Sequence, residues 1–178
     1  MKPELFRVAL IGPESTGKTT LCKELAEYYN TCWVPEYARE LISKLNRPYT
    51  KEDIIFCAEQ QLKSEKQIAL KANKILFSDS EFIILKVWLL DVFGECPEWI
   101  EKNIAENKYD LYLLTSPDIP FIDDPVRENP NRRQFFFEWY KSELDKRKFR
   151  YEIIEGLKES RIKNAIQSVK KCICKDFI

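Results

Sequence analysis

Histidine is absent from all 178 residues. That excludes Ser-His-Asp hydrolysis, histidine-ligated zinc and any mechanism needing an imidazole base. Carboxylates, Lys, Arg, hydroxyls or a metal ion are left to carry the chemistry. Net charge is missing too, with 29 basic residues against 29 acidic ones. A balanced chain is a poor coat for nucleic acid or anionic membranes, so neither is expected as a partner. No apolar run reaches membrane length, since FIILKVWLLDVF (82–93) is cut by Lys86 and Asp91. The first residues carry no signal-peptide core. Cys22, Cys32, Cys57, Cys96, Cys172 and Cys174 show no zinc-ligand spacing. Cys172 and Cys174 would point apart on a helix. Half-buried reduced thiols and a cytoplasmic address are expected.

Glycine is scarce, and its distribution is informative. Two of the four glycines, Gly12 and Gly17, fall within six residues. The remaining composition, 44% hydrophobic and 33% charged, suits one globular domain over 1–178 that buries roughly 70% of its unfolded surface.

LFRVALIG (5–12) reads as a strand buried on both faces, followed by an amphipathic helix over 18–30. TCWVPEY (31–37) is a short strand stopped by Pro35, and YARELISKL is a helix closed by NRPY. TKED (50–53) caps a long helix to about Ala72. Further strands are expected at 74–80, 110–116 and 151–155, with helices over 82–106 (broken at GECP), 131–146 and 157–173. Such alternation specifies an α/β fold with a parallel sheet flanked by helices.

GPESTGKT matches G-x-x-x-x-G-K-[ST], with a buried strand before it and a helix directly after. Gly12, Pro13, Glu14, Ser15, Thr16, Gly17, Lys18, Thr19 and Thr20 are therefore the expected ATP-binding residues. Backbone amides and the helix N-terminus would cradle the phosphates, Lys18 would reach the β- and γ-groups, and Thr19 would hold Mg²⁺. The guanine-like fragments TKED and DVFG occur in the wrong order for a GTPase, which leaves a kinase as the better reading.

Ligands of open parallel sheets sit beyond the carboxyl ends of the strands. Glu36 and Asp79 are acids at two such ends, expected on strands flanking the P-loop strand. One would orient the acceptor hydroxyl or take its proton, and the other, with Asp79 as the metal candidate, would support Mg²⁺. A strand-end acid can instead cap the following helix. Arg39 could hold Glu36 or reach a phosphate, and Trp33 and Tyr37 are candidate stacking surfaces. The irregular segment 116–131, SPDIPFIDDPVRENPN, reads as a lid. Its Arg127 would meet the transferring phosphoryl group, while Arg132 and Arg133 are divided between that role and starting the next helix.

In that order and spacing, GPESTGKTTL, EYARE, ILFSDSEF and DIPFIDDPVRENP resemble the ribosylnicotinamide kinase domain of the NadR family over nearly the whole chain. The resemblance implies a nucleoside/nucleotide kinase-like P-loop fold, ATP with Mg²⁺ as donor and a riboside as acceptor. It matches Glu36 to the acid expected to contact the 5′-hydroxyl, Asp79 to the first acid of the family's D-T-D, and Asp123, Asp124 and Arg127 to the lid. The chain departs from the family at Ser80-Glu81, at Phe121 and Pro125 in the lid, and at Pro35, where some members have a ring-stacking Trp. Trp33 is a candidate substitute. The adenylyltransferase and DNA-binding parts of full-length members find no counterpart, so a stand-alone kinase domain is expected. The resulting expectation is phosphorylation of nicotinamide riboside to nicotinamide mononucleotide. Other nucleosides, vitamin-like alcohols and a non-catalytic ATP-binding regulatory module stay open as alternatives.

Overall fold

The computed structural model describes residues 5–124 and 127–176. Five parallel strands form one sheet: β1 (Phe6–Ile11), β2 (Trp33–Val34), β3 (Ile75–Asp79), β4 (Leu111–Thr115) and β5 (Tyr151–Ile154), in spatial order β2-β3-β1-β4-β5. The connecting helices are α1 (Lys18–Tyr28), α2 (Tyr37–Ile42), α3 (Lys51–Ala69), α4 (Phe82–Phe93), α5 (Glu98–Glu106), α6 (Arg133–Arg147) and α7 (Lys158–Asp176).

The near-continuous apolar strands follow from burial on both faces. Along β1, Val8 and Leu10 enter the core shared with Leu21 and Leu25 of α1 and Val169 of α7. The alternate Ala9 and Ile11 enter the opposite core, built on α3, α4 and α6. In β4, Leu111 and Leu113 face the first layer while Tyr112 and Leu114 face the second. The two-residue side-chain period of a strand thus divides one apolar sequence between two cores.

Several boundaries differ from expectation for local reasons. The expected strand at 31–37 contracts to Trp33–Val34, because Pro35 has no amide to continue the ladder. The helical stretch 82–106 separates into α4 and α5 where Gly94 takes a left-handed C-cap (φ 74) and Pro97 opens the next helix. Thr50 caps α3 as expected: it accepts from the Asp53 amide, and Asp53 returns the bond to the Thr50 amide.

One expectation about topology is corrected. β3 and β4 flank the P-loop strand β1, whereas β2 pairs with β3 alone. Glu36 and Asp79 therefore follow two adjacent strands on one side of β1. With β2 at the sheet edge, Glu36 reaches the site from one strand further out.

Candidate active site

The loop between β1 and α1 is shaped by close packing at its base. Gly12 has φ +148, and a Cβ built there would lie 2.2 Å from Thr115 Oγ1 and 2.8 Å from its carbonyl oxygen. Only glycine lets the backbone pass so near β4. Thr16 is fully buried, donating to the Pro13 carbonyl at 2.7 Å and sharing a hydrogen bond with the Thr115 hydroxyl at 2.7 Å. Its side chain secures the loop from within. Gly17, left-handed at φ 78, starts α1 with no side-chain cap and no acid in the first turn. The free amides and positive end of this 11-residue helix are left open to an anion.

Charged groups converge above this loop. The Lys18 ammonium donates to the carbonyls of Gly12 (2.9 Å) and Pro13 (2.8 Å). Burial lowers its pKa, opposed by the carboxylates of Glu36, Asp79 and Glu14. Burial raises the pKa of Glu36 and of Asp79, and in both cases Lys18 is the strongest opposing influence. The Thr19 hydroxyl donates to Asp79 Oδ2 at 2.5 Å, while Asp79 Oδ1 is buried without a hydrogen-bond partner among the described residues. A hydroxyl beside a carboxylate with an unused oxygen is a donor set suited to a hard divalent cation that keeps water and phosphate as its other ligands.

The helix-capping alternative fails for both acids. Glu36 stands at the start of α2 but makes no capping bond. The cap of α4 is Glu81, which accepts the Ile83 amide at 2.8 Å. Glu81 is fully buried, and burial pushes its pKa up to about 8. It lines a water-sized void with Arg7, Glu65 and Asn103, apart from the P-loop. The second acid of the D-T-D-like stretch is therefore a structural group here.

A cavity of about 190 Å³ extends from the P-loop past Glu36 and Arg39. Its walls also include Ile42, Tyr49, Ile84, Trp88, Phe136 and Tyr140. Arg127, Glu128 and Asn129 cover it. This covering segment is tied to the P-loop itself: the Glu14 carboxylate accepts the amides of Glu128 (3.0 Å) and Asn129 (2.7 Å). Ser15 Oγ accepts the Ile122 amide at 2.8 Å and faces the Arg127 guanidinium at 3.4 Å. Arg133 donates to the carbonyls of Ser15 (3.2 Å) and Ile119 (2.9 Å). Arg132 forks onto Asp91 at 2.8 and 2.5 Å, which makes it a link between α6 and α4. Pro125, one of the departures noted in the sequence, lies outside the described residues.

The cavity walls bring together Gly12 to Thr19, Glu36, Arg39 and Arg127, with Asp79 buried directly behind Thr19. Thr20, Trp33, Tyr37, Asp123 and Asp124 stand outside the walls. Thr20 is exposed on α1. Trp33 packs into the α1/α7 core with the Lys23 ammonium 5.4 Å from its ring centre, so it does not replace a stacking ring at Pro35. The Tyr37 amide donates to Gln61 at 2.9 Å, and its ring meets Phe56 edge to face. Asp124 pairs with Arg39 and its amide donates to Asp123. This joins the covering segment to α2 without placing either acid in the wall.

Sequence reasoning missed Tyr49 and Trp88. The Trp88 indole donates to the Tyr49 hydroxyl at 3.2 Å, which donates to the Glu128 carboxylate at 2.9 Å. Ile84, Trp88 and Asp91 recur at helical spacing along α4, but α4 is apolar on nearly every side and no stripe stands out in its sequence.

Residues 7–161 match the AAA domain family. The chain is 28% identical over 170 residues to the trifunctional NAD biosynthesis/regulator protein NadR of Salmonella typhimurium and to that of Escherichia coli, covering 91% of this chain and 38% of each relative. A solved NadR protein in complex with NR superposes with a TM-score of 0.83 at 27% identity, over 94% of this chain and 51% of that one. A thymidylate kinase from Ehrlichia chaffeensis shares the fold at 15% identity and TM-score 0.63, over 96% of this chain and 100% of its own. The chain thus spans about two fifths of the curated relatives it matches. The fold is that of P-loop kinases.

Proposed function

The chain belongs to the AAA domain family, and on that premise we propose that it is an ATP-dependent kinase phosphorylating the 5′-hydroxyl of a riboside, converting nicotinamide riboside to nicotinamide mononucleotide. Sequence likeness to NadR over 91% of the chain, and structural likeness to a NadR protein in complex with NR, support this acceptor. The observation that carries the reading is the division of labour between the two acids. Asp79 is engaged by the Thr19 hydroxyl, whereas Glu36 lines the cavity together with the phosphate loop and interacts with the Lys18 ammonium.

In this reading the P-loop amides and Lys18 hold the ATP phosphates, and Arg127 faces the group being transferred. Thr19 and Asp79 would hold Mg²⁺, which supplies charge neutralisation on the phosphates. Glu36 accepts the proton of the 5′-hydroxyl as its oxygen bonds to the γ-phosphorus. The bond from that phosphorus to the β–γ bridging oxygen breaks, and ADP leaves with the electron pair. Residues 116–131 act as the lid of one kinase unit over 1–178, tethered through Glu14 and Ser15 and excluding water from the transfer. A cytoplasmic setting belongs to the same reading, the cysteines forming no disulfide among the described residues.

The test is ADP release from Mg-ATP with nicotinamide riboside, uridine, thymidine, thiamine or no acceptor. Stimulation by nicotinamide riboside is expected. Stimulation only by another alcohol would replace the acceptor, and nucleotide binding without stimulated release by any would replace the kinase with a regulatory module.

A further inference from the structure

Among the described residues, three buried side-chain atoms lack a hydrogen-bond partner: Gln61 Nε2, Asp79 Oδ1 and Ser80 Oγ. The oxygen of Asp79 belongs to the cation-holding pair with Thr19. Ser80 has no such account, and its place in the chain is unfavourable on two grounds. It is 4% exposed, where an unpaired hydroxyl is costly, and its φ of 73° is one that glycine adopts without strain. Its backbone is occupied on both sides. The amide donates to the Leu10 carbonyl at 3.2 Å, and the carbonyl accepts the Ser78 hydroxyl at 3.0 Å. The side-chain hydroxyl alone is uncommitted.

The sheet register shows what lies beside it. In the parallel pair of β2 and β3, Trp33 is opposite Phe77 and Val34 opposite Ser78. Continued by two residues, that register sets Glu36 level with Ser80, on the face that Val34 and Ser78 share. The backbone at Glu36 is fixed independently, because Gln61 accepts the Tyr37 amide at 2.9 Å. Burial and the Asp79 charge raise the pKa of Glu36, while Lys18, Arg39 and the Ser80 side chain draw it back toward the ionised form. Unlike the two cations, a serine hydroxyl can hold a carboxylate without cancelling its charge.

We infer that Ser80 is a positioning residue for the transfer step: its hydroxyl donates to the Glu36 carboxylate and aims the free oxygen at the acceptor hydroxyl. The inference rests on the kinase reading and on Glu36 as its base. Ser80 touches no substrate and acts only through Glu36.

The experiment measures kcat and KM for ATP and nicotinamide riboside in wild type, Ser80→Ala, Ser80→Gly, Glu36→Gln and the Ser80→Gly/Glu36→Gln double variant, with urea denaturation of each. Both single Ser80 variants lose the hydroxyl, but glycine eases the left-handed turn while alanine keeps its strain. Each is expected to lower kcat about tenfold, the scale of one hydrogen bond to a charged group, with KM for ATP within twofold of wild type. The loss should be equal in the two, although Ser80→Gly is the more stable. In the Glu36→Gln background, Ser80→Gly should change kcat by less than twofold, because the carboxylate it serves is already gone. A Ser80→Gly variant as fast as wild type, a loss confined to the less stable Ser80→Ala, or a tenfold loss repeated in the Glu36→Gln background each overturns the inference and leaves the kinase reading standing. A wild type that phosphorylates only another alcohol moves the acceptor, and the same cycle on that alcohol decides the inference by the same criteria. A wild type inert toward every acceptor overturns the kinase reading and the inference together.

Discussion

Replacing Glu81 with Gln should change how the stability of this fold depends on pH. Glu81 is 2% exposed and caps α4 through the Ile83 amide. Burial, reinforced by the nearby Glu65 charge, raises its pKa from 4.5 to about 8. In the unfolded chain the carboxyl ionises near its ordinary value, so between roughly pH 4.5 and 8 the folded state binds the extra proton. Stability from this group is therefore complete below the unfolded pKa and is lost as pH rises through the folded one. At 1.36 kcal/mol per pH unit the full loss would be about 5 kcal/mol. The small void lined by Glu81, Arg7 and Asn103 would let water relax part of it, so about 2–4 kcal/mol is expected. Gln keeps an oxygen to accept the Ile83 amide and has no proton to lose. Urea denaturation at pH 5.5, 7 and 9 should show Glu81→Gln gaining on wild type by about 1–3 kcal/mol between the first and last conditions, since about one pH unit of the loss falls below pH 5.5. Parallel curves would refute the assignment of Glu81 as a buried group that is protonated at neutral pH.

Other outcomes follow from single contacts. Gly12→Ala must fit a Cβ 2.2 Å from the Thr115 hydroxyl at φ +148. It should destabilise the fold by about 2–5 kcal/mol in the same denaturation assay, with loss of ATP binding by calorimetry. Thr50→Ala removes one half of the capping box on α3 and should lower stability by about 1 kcal/mol. Because burial raises the pKa of Glu36, its base form is lost as pH falls through a value above the usual carboxylate range. The acid limb of the kcat/KM profile should therefore lie above that range, and Glu36→Gln should remove the limb along with most of the rate. Glu14→Gln weakens acceptance of the Glu128 and Asn129 amides. Proteolysis of the 116–131 segment should accelerate several-fold in that variant at unchanged global stability.

The phosphate loop was legible because its chemistry demands a fixed local pattern, here Gly12, Gly17, Lys18 and Thr19 between a buried strand and a helix. The capping box at Thr50 was legible for the same reason. Asp79 and Glu36 could be picked as strand-end acids, but the path of β2 to the far side of β3 depends on sheet order, which local pattern does not encode. Trp33 misled because an aromatic near a site reads alike whether it faces ligand or core, and its register with Phe77 sends it to the α1/α7 layer. Tyr49 looked like part of a helix stop, and Trp88 was hidden in a helix with apolar residues nearly all round. Their meeting, and the reach of Glu128 back to Tyr49, join residues 39 and 79 positions apart. Glu81 read only as a departure from the family's acidic motif, yet the positive φ of Ser80 (73°) turns the chain there and places the next side chain at the start of α4.

The most direct measurement of the central claim is phosphorus NMR of the protein turning over Mg-ATP with nicotinamide riboside, alongside Glu36→Gln. The account predicts a new 5′-phosphomonoester resonance growing in step with ADP, slowed at least a hundredfold in Glu36→Gln while ATP binding is retained. ADP appearing with inorganic phosphate instead, or a Glu36→Gln variant as fast as wild type, would contradict it.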